Sequence, residues 1–233
     1  MQMTMIRPAG QGFWRVVLLM TIAILVMGRG FMALAADEPK ALTDGVTALY
    51  NGWADVEYGT KGNDAKRAKL APLLEKSDAL VAQYPDRAEP LIWNGILLGT
   101  QAQASGSSPA LKLAEKAKTQ LEKAIAIDPK ALDGMGYTTL GALYDNVPGW
   151  PIGFGSSTTA RDFLQKGVAI SPHGMEANYF YGKFLFGQGQ YRDAAEALNN
   201  ATQPPTGVAK GPGVEGRRAD ITDLSRQARR RVK

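Results

Sequence analysis

Apolar residues recur at intervals of three and four along most of residues 40–231, the period of a helix buried on one face. The strict alternation that a half-buried strand would need is absent. The pattern predicts helices near 40–58, 66–83, 89–103, 109–127, 132–145, 158–170, 175–187, 191–201 and 217–231. An all-α fold follows, and a parallel-sheet enzyme is excluded. Three of the apolar segments end in the same way, at Tyr84-Pro85, Asp128-Pro129 and Ser171-Pro172. Proline cannot continue a helix and drives the preceding residue into extended backbone. Pro85, Pro129, Pro172 and Pro205 are 44, 43 and 33 residues apart, a period that marks stacked helical hairpins. Pro72 predicts a helix start or a kink within the second segment.

Small residues at Ala117, Gly141, Ala160, Gly182 and Ala194 let neighbouring helices approach closely, with Leu and Tyr filling the layer between hairpins. Each hairpin leaves one apolar face uncovered, so about four must stack and a final helix must close the array. Ile221, Leu224, Ala228 and Val232 recur at helical intervals within residues 219–232 and predict a C-terminal capping helix. Residues 207–216, rich in Gly and Pro, are expected to be the loop before it.

Between the prolines the residues resemble the tetratricopeptide repeat, whose first helix reads W-x2-L-G-x2-Y and whose second reads A-x3-F-x2-A before Pro. The fourth unit carries Asn178, Tyr181-Gly182 and Leu185, then Ala194, Leu198 and Ala201. The third carries Leu140-Gly141, Tyr144, Ala160, Leu164, Gly167 and Pro172; the second carries Trp93, Ala117, Leu121, Ala124 and Pro129. In the first unit only the helix lengths and Pro85 fit. Residues 137–205 are similar to exported bacterial tetratricopeptide proteins and to the periplasmic T component of TRAP transporters, and more distantly to the regulators of microtubule dynamics. The resemblance implies an α-solenoid of about four hairpins that holds partners in the groove lined by its first helices. In the transporter component it also implies association with a solute-binding subunit and self-assembly. This chain departs from that component in having no Cys to carry a lipid.

The N-terminus changes the picture of where the protein works. Arg7 and Arg15 precede residues 16–28, thirteen residues without a charge, and Ala33-Leu34-Ala35 follows. A basic start, an apolar stretch and a small-x-small site read as a secretory signal peptide over 1–35. The alternative is an uncleaved signal anchor, with Arg29 reaching the interface. Either places residues 36–233 outside the cytoplasm, in the periplasm or held at the inner membrane. The domain organisation expected is therefore 1–35, a repeat domain over 36–205, and a loop with a basic helix over 206–233. The net charge of +5 is unevenly distributed. Residues 214–233 hold seven basic residues against Glu215, Asp220 and Asp223, and residues 36–213 are slightly acidic. Nucleic acid is excluded as a partner because no basic face is interleaved with aromatics.

Candidate chemistry is sparse. No Cys and a single His exclude thiolate sites and histidine-rich metal centres, and no cofactor motif is present. His173 lies in a turn after a helix end. No catalytic constellation stands out. The groove positions counted from Gly182 are Tyr179, Lys183 and Phe186; from Gly141 they are Thr138, Ala142 and Asp145; from Trp93 they are Asn94, Leu98 and Gln101. Such a groove suits an extended peptide or a small organic ligand. The insert at residues 147–159 is apolar and glycine-rich. Either its Trp150 and Phe154 line a ligand pocket beside the groove, or they plug a gap between hairpins. Gly153 to Thr158 reads as an anion cradle or as a loop in which Ser157 or Thr158 caps the next helix. The tail Arg229-Arg230-Arg231 either meets an acidic partner or is a solvated helix end. These features support a non-catalytic exported scaffold for a protein or peptide in the cell envelope, with oligomers possible. The competing reading is a small-molecule-binding accessory of a solute transport system.

Overall fold

A computed structural model describes residues 40–208 and 210–232; the expected signal segment 1–35 lies outside the described residues. Nine helices follow one another among the described residues: α1 (Lys40–Gly59), α2 (Asn63–Gln83), α3 (Ala88–Gln103), α4 (Ser107–Ile127), α5 (Ala131–Asn146), α6 (Ser157–Ile170), α7 (Met175–Gly187), α8 (Tyr191–Asn200) and α9 (Pro212–Arg231). There is no strand among these residues, only two isolated bridges, Gly149–Gly155 and Gly174–Gln203.

The first eight helices pair as antiparallel hairpins, α1/α2, α3/α4, α5/α6 and α7/α8. Their first helices form an inner row in which α3 packs on α5 and α5 on α7. Tyr50 and Trp53 of α1 extend that row by packing their rings on Trp93 of α3. The helix stops repeat with the prolines. Tyr84, Asp128 and Ser171 leave helical geometry with φ of −129°, −145° and −127°, and each still donates its N–H to the carbonyl four residues back.

A glycine on the first helix meets a leucine on the second in all four hairpins. A Cβ at Gly95, Gly141 or Gly182 would stand 2.7 Å from the Cγ of Leu121, Leu164 or Leu198, too close for any real carbon pair, and Gly52 abuts Leu73 in the same way. Helices joined by such contacts approach until backbone meets side chain. Leu121, Leu164 and Leu198 are almost fully buried as a result.

Three local expectations are corrected. α2 does not start near Pro72: it begins at Asn63 and runs through the proline. α5 does not begin as a right-handed helix at 132. Leu132, Asp133 and Gly134 have φ of 48°, 60° and 75°, a single left-handed turn that side chains other than glycine's resist. Asp133 is held there by Thr206, whose N–H and Oγ1–H each donate to its carboxylate at 2.9 Å, and Leu132 is drawn into the apolar core. Finally, α9 starts at Pro212 rather than near 217, with the proline in the first turn where its missing N–H costs no hydrogen bond.

α9 closes the array by packing on α7 and α8, with Val214, Ile221 and Ala228 buried. It also returns to the first hairpin. A Cβ at Gly213 would meet the Tyr50 ring and, at 3.0 Å, the Cβ of Ala54, and one at Gly216 would overlap the ring of Tyr58. The helix thus bridges α1 and α7, the two ends of the inner row.

Candidate functional site

The inner row carries its densest chemistry where α9 crosses it. Gly213, Val214, Arg217, Ile221, Ser225 and Ala228 form one buried stripe along α9. Two glycines at the α1 end let the backbone sit against rings. Arg217 follows them and is only 5% exposed. Its Nε donates to both oxygens of Glu176 at 2.9 and 3.1 Å, and its Nη1 donates to Asp220 at 3.1 Å. The Tyr58 hydroxyl donates to the same Asp220 oxygen at 3.0 Å. The guanidinium lies 4.1 Å from the ring centre of Tyr179 and 5.1 Å from that of Phe180, with Trp53 and Tyr58 near 6 Å.

This socket compensates a buried charge in three ways: a carboxylate at contact distance, a second one at the rim, and aromatic faces whose quadrupoles attract a cation. Glu176 is in the first turn of α7, where the helix dipole favours negative charge. Burial alone would lower the Arg217 pKa. Glu176, Tyr58 and Tyr179 together outweigh it, and the guanidinium ends above its ordinary value. Loss of water also raises Tyr50, Tyr58 and Tyr179, in each case against the lowering pull of Arg217.

The residues expected to line a binding groove separate into three groups. Tyr179 is half-buried beneath Arg217, in the socket. Asp145 on α5 and Lys183 on α7 are both exposed. Desolvation raises the Asp145 carboxyl, while the charge of Lys183 acts to lower it, so the two helices present opposite charges to each other. Asn94 and Thr138 do not line a surface. Each is 1% exposed. The Asn94 amide donates to Ser77 and Asp78 of α2 at 2.8 and 2.7 Å, joining the first two hairpins. Thr138 donates to the Gly134 carbonyl and abuts Gly167.

The insert before α6 is neither a pocket nor a plug at its tip. Trp150 is 90% exposed and Ile152 69%. Phe154 turns the other way, edge-on to Tyr144 at 5.1 Å with Lys118 over its face. The loop is tied internally, Gly155 N–H to the Pro148 carbonyl at 2.9 Å and Ser156 N–H to that of Tyr144 at 3.0 Å. Its glycines serve this folding: a side chain at Gly155 would run into the Val147 carbonyl. The cap of α6 is Ser156, accepting from the Thr159 N–H, rather than Ser157 or Thr158. His173 is exposed, and its carbonyl accepts from Thr202 and Gln203. In the tail, Arg229 donates to Asn199, and Arg231 lies over the Tyr191 ring. Among the described residues no acidic, His or Cys cluster is arranged to hold a metal ion, and no helix is long and apolar enough to cross a membrane.

Arg217, Glu176, Asp220, Trp53 and Tyr58 belong to no motif that the sequence displays. One signal does point to them: Arg217 stands on the same helical stripe as Ile221, Leu224 and Ala228, and a charge in register with a buried stripe requires a buried partner.

The arrangement is that of a tetratricopeptide-type α-solenoid. Among solved structures the chain is similar to TTC0263, a thermophilic TPR protein in Thermus thermophilus, at 17% identity and a TM-score of 0.55 over 89% of this chain and 96% of that one. A looser likeness is to MamA, at 18% identity and a TM-score of 0.41 over 74% of this chain and 95% of that one. No protein-family model and no curated protein matches the sequence.

Proposed function

We propose that the protein is a non-catalytic, exported scaffold that binds a segment of a partner protein along the inner row of its helical array in the cell envelope. The observation that carries this reading is α9 itself, a helix laid across the first helices of the first and last hairpins. Its seating supports that reading by what the face holds: small residues against rings, and a cation against the Glu176 carboxylate. Asp145 and Lys183 extend the same row with exposed charges for a polar partner segment. Export is supported by Arg7 and Arg15, the uncharged stretch 16–28 and Ala33-Leu34-Ala35.

The test joins location and binding. The full-length chain, expressed in a bacterial host and fractionated, should be recovered from the envelope with Ala36 as its new N-terminus or with its leader intact in the membrane. Cross-linking there should capture a protein partner, and reversing both charges in Asp145→Lys with Lys183→Glu should weaken its capture. Recovery from the cytoplasm alone would defeat the export reading, and capture indifferent to inner-row substitutions would defeat the binding reading.

A further inference from the structure

We propose that the seat of α9 is an exchangeable binding site, made for a partner helix that carries two small residues three apart followed at once by arginine, and that α9 occupies it as an internal competitor. The inference rests on the scaffold reading above and names the partner and the regulation of that surface.

The seat takes few large apolar side chains from α9, Ile221 buried and Leu224 packed beside it. Among the buried residues of that helix, Gly213, Val214, Ser225 and Ala228 are small, and only Ile221 is a large aliphatic. Recognition is concentrated in Arg217 and in the two glycines that admit it. A buried ion pair contributes selectivity more reliably than net stability, because the desolvation of both ions offsets most of their attraction. The groups that read the cation, Glu176, Tyr179 and Phe180 on α7 and Trp53 and Tyr58 on α1, all belong to the array. If α9 departs they remain as an aromatic, acidic cleft. That cleft then presents the Glu176 carboxylate without its counter-charge between aromatic faces, which favours capture of another guanidinium.

The tether suits exchange. Residues 201–211 contain Pro204 and Pro205 and the glycines Gly207 and Gly211 at φ of 80° and 130°. Thr202 and Gln203 bond to the His173 carbonyl, and Thr206 bonds to Asp133, so α9 is moored at one end to the array even when its seat is empty. A moored helix competes at an effective concentration on the order of millimolar. An incoming helix must therefore match the pattern to displace it.

The experiment uses the full chain and, as probe, a fluorescent peptide spanning Gly211–Arg231. In the wild-type chain α9 should largely exclude the peptide. Gly216→Val, which forces a side chain into the Tyr58 ring, should lift α9 while leaving the socket whole. Peptide affinity, read by anisotropy, should then rise by about tenfold or more. The gain should vanish when the peptide carries Arg217→Ala, or when Glu176→Gln is added to the chain. Arg217→Ala in the chain is the second route to an empty seat and should give the same gain. Equal affinity for wild type and both variants, or binding indifferent to the peptide's arginine, would overturn the proposal. So would collapse of the helical array in both variants, seen by circular dichroism, because α9 would then be an integral part of the fold. The outcome separates from the scaffold reading: peptide exchange without an envelope partner would leave the site and remove its role, and a partner captured without peptide exchange would do the reverse.

Discussion

Trp150 and Arg217 occupy places opposite to what their side chains suggest. The tryptophan is 90% exposed at the tip of a loop, and the arginine is 5% exposed between two ends of the array. Hydrophobicity alone would exchange them. The difference lies in what each finds nearby: Arg217 meets two carboxylates and four aromatic rings, whereas Trp150 is held out by a loop closed on its own backbone. Burial here follows the partner rather than the residue type.

The largest effect should come from taking one member out of the socket. Arg217→Ala takes the counter-charge of Glu176 away and should cost the seated α9 about 3–5 kcal/mol, read by urea denaturation. Replacing both, as Arg217→Met with Glu176→Met, should recover most of that loss, because no ion is then left unpaired. If the single and double variants were equally unstable, shape rather than charge would hold α9.

Alkali tests the rings of the same site. Tyr50, Tyr58 and Tyr179 are raised above the ordinary value of 10.0 in the folded protein, so the native state keeps protons that the unfolded chain releases. Their contribution is complete below pH 10 and is lost as pH rises above it. Titrated by tyrosinate absorbance, Tyr50, Tyr58 and Tyr179 should therefore ionise at a higher pH in the folded chain than in the unfolded one. Ordinary titration of these three in the folded chain would contradict the socket's burial.

Smaller effects separate packing glycines from idle ones. Gly141→Ala places a methyl against Leu164 and the backbone of α6 and should destabilise by about 1–3 kcal/mol. Gly99→Ala, in α3 with open space around it, should stabilise by about 0.5–1 kcal/mol. At the exposed end of the scale, Trp150→Ser should move stability by no more than about 0.5 kcal/mol. A large loss there would mean that the loop tip packs on the array after all.

Much of the fold is legible in the sequence because its punctuation is local. Pro85, Pro129 and Pro172 each follow a residue that has left the helix, and the three stops share their geometry. The glycine–leucine contact is harder to read because its spacing varies, from 26 residues between Gly95 and Leu121 to 16 between Gly182 and Leu198. Gly52 and Gly95 thus do not announce themselves as equivalents of Gly141 and Gly182. Gly213 and Gly216 read as loop because glycine and proline signal turns, yet they lie in a helix and serve close approach to Tyr50 and Tyr58. The socket is the least legible part. Its members come from residues 53–58, 176–180 and 217–220, and only the return of α9 to the first hairpin brings them together. Counting along a repeat places Asn94 and Thr138 on the surface, but α2 of the preceding hairpin covers Asn94 and α6 of its own hairpin abuts Thr138.

That return of α9 can be measured directly, since the chain has no cysteine of its own. A Cβ at Gly213 would stand 3.0 Å from that of Ala54, within a small adjustment of the separation a disulfide requires. The variant Ala54→Cys with Gly213→Cys should oxidise to an intramolecular disulfide in nearly every monomer, seen as faster migration on a non-reducing gel and a mass lower by two hydrogens. Free thiols after oxidation, or cross-links only between separate chains, would show that α9 does not lie across the first hairpin.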